Sequence, residues 1–357
     1  MSSNESTDID ARVREAAGII RRGGVVAFPT ETVYGLGANA FDEKAVARVF
    51  EVKRRPYFDP LILHVAEPDW LGDLALNVPK AALKLTDAFW PGPLTVVLQK
   101  KSVVPDIVTA GLPGAALRMP SNEIARALIL AAGVPIAAPS ANLFGSVSPT
   151  AAEHVRAQLG TAVDMIIDGG ECEVGIESTI VSFLDDKPAL LRPGGIALED
   201  IEAVIGEVVI PGKDELVNRS PGRSGTHYAT STPLVLIGGI DEINGICVNG
   251  INNKSGANGV DEADAGAARV NSSKPIKKIG LLAFSSASVP DPAALPPAVV
   301  GVEYLSAVGD LREAACRLFA AMRRLDGAGV DAIAALPVPV NGIGLAINDR
   351  LGRAALK

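Results

Sequence analysis

A chain of 357 residues with 48% hydrophobic content is long enough for about two domains of roughly 150 residues, each with its own core. Aromatics make up only 4%, so those cores are built from Ala, Val, Leu and Ile, and 36 Gly with 25 Pro argue against a helical bundle. A formal net charge of −8 excludes a broadly basic surface for non-specific nucleic-acid binding, though not a local basic pocket.

Residues 1–7 read as a polar tail, and Asp8 to Arg22 as an amphipathic helix with Val13, Ala16, Ala17 and Ile20 inward and Gly23 at its end. Val25 to Phe28 is a strand stopped by Pro29. Three hydroxyls and a carboxylate follow (Thr30, Glu31, Thr32, Tyr34), and Gly35 and Gly37 would let the backbone turn and approach a ligand. Asp42 is the expected N-cap of a helix whose apolar face is Ala45, Val46, Val49 and Phe50. That helix runs into Lys53, Arg54 and Arg55 and stops at Pro56. Leu61 to Val65 is a strand, apolar except for His64.

Lys80 to Trp90 reads as a helix, and Leu94 to Leu98 and Ala115 to Met119 as strands, the latter containing Arg118. Pro120 and Ser121 open a helix to Gly133, and Ile136 to Ala138 is a short strand entering Pro139-Ser140-Ala141-Asn142. Thr150 with Glu153 predicts a capping box. Further strands fall at Met165 to Ile167, Ser178 to Phe183 and Ala189 to Leu191, and a short helix at Leu198 to Ile205. The alternation makes 8–206 an α/β domain with a twisted mixed sheet, 207–232 a linker, and 233–357 a smaller α/β domain with a helix from Leu311 to Arg324. The small, polar stretch 249–273 reads as a disordered insertion.

Single features carry little. Lys53 and Arg55 suit phosphate oxygens, or equally a solvated helix end. His64 is either a core histidine satisfied by backbone or a donor to a ligand carboxylate. Arg118 and Arg192 stand where the pattern expects core residues, so each needs an internal carboxylate or an anionic ligand. Ser140 and Asn142 follow a strand end, where ligands of α/β sheets sit, but also suit a turn. No nucleophile elbow, P-loop or dinucleotide fingerprint occurs. Cys172, Cys247 and Cys316 are far apart and fit free thiols in a reducing compartment, and three scattered histidines predict no protein-built metal site. The polar N-terminus and the lack of a run of about 18 apolar residues predict neither secretion nor a membrane span, so the cytoplasm is expected.

Together the motifs are specific. PTETVYGLGANA, the K-x-R of Lys53 and Arg55 followed by P-x-x-x-P-L-I-x-H, PSAN at 139–142 and ESTIV at 177–181 resemble the YrdC-like family. The linker SPG-(four residues)-HYA and the ending AINDRLGRAA resemble its long, two-domain form. The resemblance implies a twisted sheet with a concave cationic cavity, followed by a Rossmann-like C-terminal domain. It implies a nucleotidyltransferase that joins L-threonine, bicarbonate and ATP (with Mg²⁺) into L-threonylcarbamoyl-AMP and pyrophosphate, for proteins that modify an adenosine in tRNAs reading ANN codons. Carried over by motif, Thr32, His64, Arg118, the Ala138 backbone and Ser178 would hold threonine. Lys53, Arg55, Asp59, Ser140, Asn142, Ser148 and Arg192 would hold ATP, with Tyr228 as a lid and His227 beside it, and Lys53 and Arg55 as the catalytic cations. Three positions depart from the family pattern: Asp59 for a frequent Asn, Gly114 for Thr, and Arg54 for Gly. The competing reading is an RNA-binding or ribosome-associated module using the same basic cavity, without a stable nucleic-acid complex in the favoured one.

Overall fold

The computed structural model describes residues 3–212, 227–249, 276–289 and 295–355. The predicted insertion at 249–273 lies beyond Asn249, and most of the predicted linker at 213–226, outside the described residues. The chain divides into two compact units, Met1–Phe144 with Ser148–Ser224, and Gly145–Val147 with Gly225–Lys357.

In the first unit the elements are α1 (Ser3–Arg21), β1 (Val26–Phe28), β2 (Gly35–Asn39), α2 (Glu43–Lys53), β3 (Ile62–His64), α3 (Trp70–Leu74), α4 (Lys80–Phe89), β4 (Leu94–Gln99), α5 (Asp106–Thr109), β5 (Gly114–Arg118), α6 (Glu123–Ala132), β6 (Ile136–Ala138), α7 (Ala152–Leu159), β7 (Met165–Ile166), β8 (Thr179–Ser182), β9 (Ala189–Arg192) and α8 (Leu198–Ile205). Helix α1 begins at Ser3, inside the stretch read as a tail. That reading rested on polarity alone, and a polar first turn is no obstacle to a helix whose packing face starts at Val13.

The strands form one mixed nine-stranded sheet in the order β7-β1-β2-β6-β3-β5-β4-β8-β9. Alternation in the strands sorts side chains between its faces. Leu61, Leu63, Val65, Val96, Leu98, Leu117, Val181 and Leu190 face the main core, with Ala45, Val46, Val49 and Phe50 of α2. The other face is covered at one end by α1 and α6, whose Ala16, Ile20, Leu128 and Ile129 pack on Phe28, Ile136 and Ala138. The rest of that face, over β3, β5, β4, β8 and β9, carries the candidate site.

Gly37 serves packing rather than a ligand. A Cβ there would lie 2.4 Å from Ile136 Cγ2 and 2.7 Å from Phe28 Cε1. Two helix starts also differ from expectation. α6 is capped by Asn122, whose side chain accepts from Ala125 N at 3.1 Å. α7 starts after Ala151 without a side-chain cap, and Thr150 N instead donates to His154 Nδ1 at 3.2 Å. The imidazole reaches back over the first turn and accepts the N–H that Glu153 would take in the expected capping box.

The second unit holds a four-stranded sheet in the order β10-β13-β11-β12, from Leu234–Leu236, Ala332–Ala335, Ile279–Ala283 and Val299–Tyr304. All three pairings are parallel, which requires crossover connections and makes this a Rossmann-like sheet. The helix Leu311–Gly327 is N-capped by Asp310 and buries Ala314, Ala315, Leu318, Phe319 and Met322, the face expected from its periodicity. The unit also includes Tyr228, which is 1% exposed, stacked on Phe319 at 5.3 Å and covered by the Arg350 guanidinium at 5.5 Å.

Candidate active site

Strand register lines up buried polar residues on the part of this face that α1 and α6 do not cover. Residues directly opposed on neighbouring strands point the same way. His64 on β3 opposes Arg118 on β5, Arg118 opposes Thr95 on β4, Thr95 opposes Ile180 on β8, and Ile180 opposes Arg192 on β9. One row across five strands is therefore polar in four of five places. Beside it lies a small apolar patch of Ile62, Val97, Ala116, Ile180, Ala189 and Leu191.

Each member of the row is fixed. Thr95 Oγ1 and Ser178 Oγ share a hydrogen bond of 2.7 Å. Arg192 donates from Nη2 to Ser178 Oγ and from Nε to Ser178 O, both at 3.1 Å. His64 Nδ1 donates to Ile62 O at 3.2 Å, and its ring meets Phe28 edge-on. Arg118 Nη2 lies 2.8 Å from Glu31 Oε1, with both side chains 4% exposed. Glu31 belongs to a turn pinned by Thr30, whose Oγ1 donates to Val33 O at 2.6 Å and accepts from Thr32 N and Val33 N at 3.2 Å.

Burial first, and the Arg118 charge second, bring the His64 pKa down to about 3, with the Ile62 and Ile136 backbone only partly opposing them. His64 is thus neutral in the folded protein and offers a hydrogen bond, not a charge. An unfolded histidine titrates near 6.5, so below that pH the unfolded chain binds a proton that the folded chain refuses. Stability due to the neutral ring is complete above about pH 6.5 and falls by roughly 1.4 kcal/mol per pH unit down to the folded pKa. Urea denaturation between pH 7 and pH 4 should show this slope, and His64→Gln should remove it. Equal slopes in both proteins would refute the assignment.

A second cluster sits where the C-terminus of α2 meets the loop after β6. Asp42 caps α2 by accepting from Lys44 N at 3.0 Å and Ala45 N at 3.2 Å. At its other end Arg54 is left-handed, with φ 53°, which explains why glycine suits that position. Lys53 is 1% exposed and donates to Ser140 O at 2.6 Å, to Asn142 O, and to Asn142 Oδ1 at 3.3 Å. Burial drives its pKa well below the usual lysine range, neighbouring Arg55 adds to this, and Asp59 opposes it. Arg55 pairs with Asp59 Oδ1 at 2.9 Å and donates to Asp59 O at 3.1 Å and Pro60 O at 2.9 Å. Ser148 Oγ donates to Glu177 Oε1 at 2.6 Å.

Among the described residues of the first unit, Lys53, Arg55, Arg118 and Arg192 are the buried cations and Glu31, Asp59 and Glu177 the buried carboxylates. Two of the cations, Arg55 and Arg118, face one of these carboxylates directly. Half of these buried cations are thus already paired with a buried carboxylate.

A family described as "Telomere recombination" matches residues 18–194, and one described as "Threonylcarbamoyl-AMP synthase, C-terminal domain" matches 196–356. A threonylcarbamoyl-AMP synthase of Pyrococcus abyssi is 43% identical over 349 residues, covering 96% of this chain and 94% of that protein. The chain belongs to the threonylcarbamoyl-AMP synthase family. A threonylcarbamoyl-AMP synthase of Bacillus subtilis is 41% identical over 361 residues, covering 99% of this chain and 95% of its own. The crystal structure of P. abyssi Sua5 complexed with L-threonine aligns with a TM-score of 0.82 at 40% identity, covering 97% of this chain and 94% of that one.

Set against the residues that the family resemblance implies, His64, Arg118 and Ser178 fall in or beside the polar row, and Ala138 lies on the same face, opposite Ile62. Thr32 Oγ1 shares a 2.9 Å hydrogen bond with Thr30 Oγ1. Lys53, Ser140 and Asn142 form one cluster, and Arg55 with Asp59 stands next to it. Ser148 is tied to Glu177, and Arg192 to Ser178. Tyr228 and His227 belong to the second unit. Gly114 opens β5, where a Cβ would lie 2.6 Å from Leu184 Cδ1. Glu31 is the carboxylate of the polar glycine loop, to which the sequence assigns no role, and Thr95 is not among the expected site residues. Thr95 carried the same signal as His64, a lone polar residue inside an apolar strand.

Proposed function

We propose that the chain makes L-threonylcarbamoyl-AMP and pyrophosphate from L-threonine, bicarbonate and ATP. The observation that supports this most is the buried polar row of His64, Arg118, Thr95, Ser178 and Arg192, in a chain 40% identical to a protein crystallised with L-threonine. Arg118 suits the threonine carboxylate as a planar fork, and Ser178, Thr32, neutral His64 and the Ala138 carbonyl suit its remaining polar groups. Lys53, Arg55, Asp59, Ser140, Asn142, Ser148 and Arg192 are assigned to the nucleotide on the family resemblance, as is Tyr228. A solved variant of the P. abyssi protein replaces an adjacent His and Tyr by Ala, and His227-Tyr228 is the one such step in this sequence.

Threonine's neutral amine attacks bicarbonate, water leaves, and the carbamate oxygen attacks the α-phosphorus of ATP as pyrophosphate departs. No covalent enzyme intermediate is required. The protein contributes alignment and cations around the phosphates. Mg²⁺ brought in with ATP would neutralise phosphate charge beside Lys53 and Arg55; Asp59, the carboxylate next to that cluster, pairs with Arg55. Among the described residues no helix is long and apolar enough to cross a membrane. We place the enzyme in the cytoplasm, supplying proteins that transfer the threonylcarbamoyl group to tRNA. Carbon-labelled bicarbonate tests the reading. Mass spectrometry should find the label in a product containing threonine and AMP, and unlabelled AMP as the sole product would refute it.

A further inference from the structure

Among the described residues of the first unit, the three buried carboxylates differ in how they are used. Asp59 accepts from Arg55, and Glu177 accepts from Ser148. Glu31 is different. Among the described residues its ion-pair partner is Arg118 alone, and neither of its carboxylate oxygens has a hydrogen bond of good geometry. The Arg118 Nε and Nη2 likewise lack an acceptor of good geometry, although Nη2 is 2.8 Å from Glu31 Oε1. Both residues are 96% buried, where an ion short of hydrogen bonds is costly.

The backbone holds this arrangement in place. The Thr30 turn fixes the segment from one side, and Glu31 O accepts from Val174 N at 2.7 Å on the other. A fixed, incompletely satisfied cation and anion side by side complement one class of ligand: a zwitterion whose opposite charges hang from a single carbon. Arg118 takes the carboxylate, which leaves the ammonium group for Glu31.

We propose that Glu31 receives the ammonium group of the amino-acid substrate and takes one proton from it. This rests on the threonine reading of the site. The ammonium N–H bond breaks, the proton passes to Glu31, and the nitrogen keeps the electron pair. The neutral amine attacks the carbon of bicarbonate, loses a second proton to the departing hydroxide as water, and leaves a carbamate. Glu31 then releases its proton to solvent.

Calorimetric titration of the full-length protein with L-threonine and with 3-hydroxybutanoate, which lacks the amine, tests the proposal. Wild-type protein should bind threonine about 30-fold or more tightly than the deaminated analogue. Glu31→Gln should lose that preference while binding 3-hydroxybutanoate no worse, which also shows that it is folded. At saturating threonine Glu31→Gln should turn over far more slowly, and Glu31→Asp should recover part of the rate. Equal binding of the two ligands by wild-type protein, or an equal loss of both in the variant, would overturn the proposal. A change in KM alone would remove the proton-acceptor role. Failure of wild-type protein to bind threonine at all would instead strike the functional reading on which it rests.

Discussion

Replacing Arg118 with alanine should abolish threonine-dependent turnover and also weaken the fold. Removing one partner of a buried ion pair costs about 3–5 kcal/mol, because the other charge stays buried alone. Here the residue left behind is Glu31, 4% exposed and already without a hydrogen bond to either oxygen. Loss of the arginine assigned to the threonine carboxylate should lower kcat/KM for threonine by about a thousandfold or more. The two effects separate in a double variant. Arg118→Met with Glu31→Gln should recover most of the stability, since no charge is stranded, and none of the activity. Urea denaturation and steady-state kinetics on the three proteins measure this. A single Arg118→Ala variant with wild-type stability and wild-type KM for threonine would refute the pairing and the role together.

Lys53→Ala should have the second-largest effect, for a different reason. The ammonium of Lys53 binds the loop after β6 through Ser140 O, Asn142 O and Asn142 Oδ1. Truncation strands those acceptors at a cost of about 2–3 kcal/mol, a charged donor being worth more than a neutral one. Ser140 and Asn142 are also the residues assigned to the nucleotide, so ATP affinity should fall with the loop's order. Lys53→Arg should not rescue, because a planar fork cannot replace a compact ammonium in a fully buried space between two carbonyls. Unchanged ATP binding by a folded Lys53→Ala protein would show that the lysine organises nothing the nucleotide needs.

Much of the fold was legible because it rests on periodicity. The alternation Leu61, Leu63, Val65 against Ile62 and His64 marks which strand face is core, and the register of β3 with β5 then sets His64 beside Arg118. Register is a property of pairing between strands far apart in sequence, so the row itself was not readable, and Thr95 was passed over. The cations were legible singly, but their partners were not. Glu31 lies in a turn without periodicity, and Asp59 four residues after Arg55 is not on a helix, so neither ion pair follows from spacing. Glycine was misread at Gly37, where sequence cannot separate room for a ligand from close packing against Phe28 and Ile136. The expected capping box at α7 does not form: the helix starts one residue later, after Ala151, and His154 Nδ1 rather than the Glu153 carboxylate accepts the Thr150 N–H.

The most direct test of the account is pyrophosphate release from ATP by the purified protein, with L-threonine and bicarbonate each omitted in turn. Release should require both. Release without threonine, or none under any condition in protein shown to be folded, would contradict it.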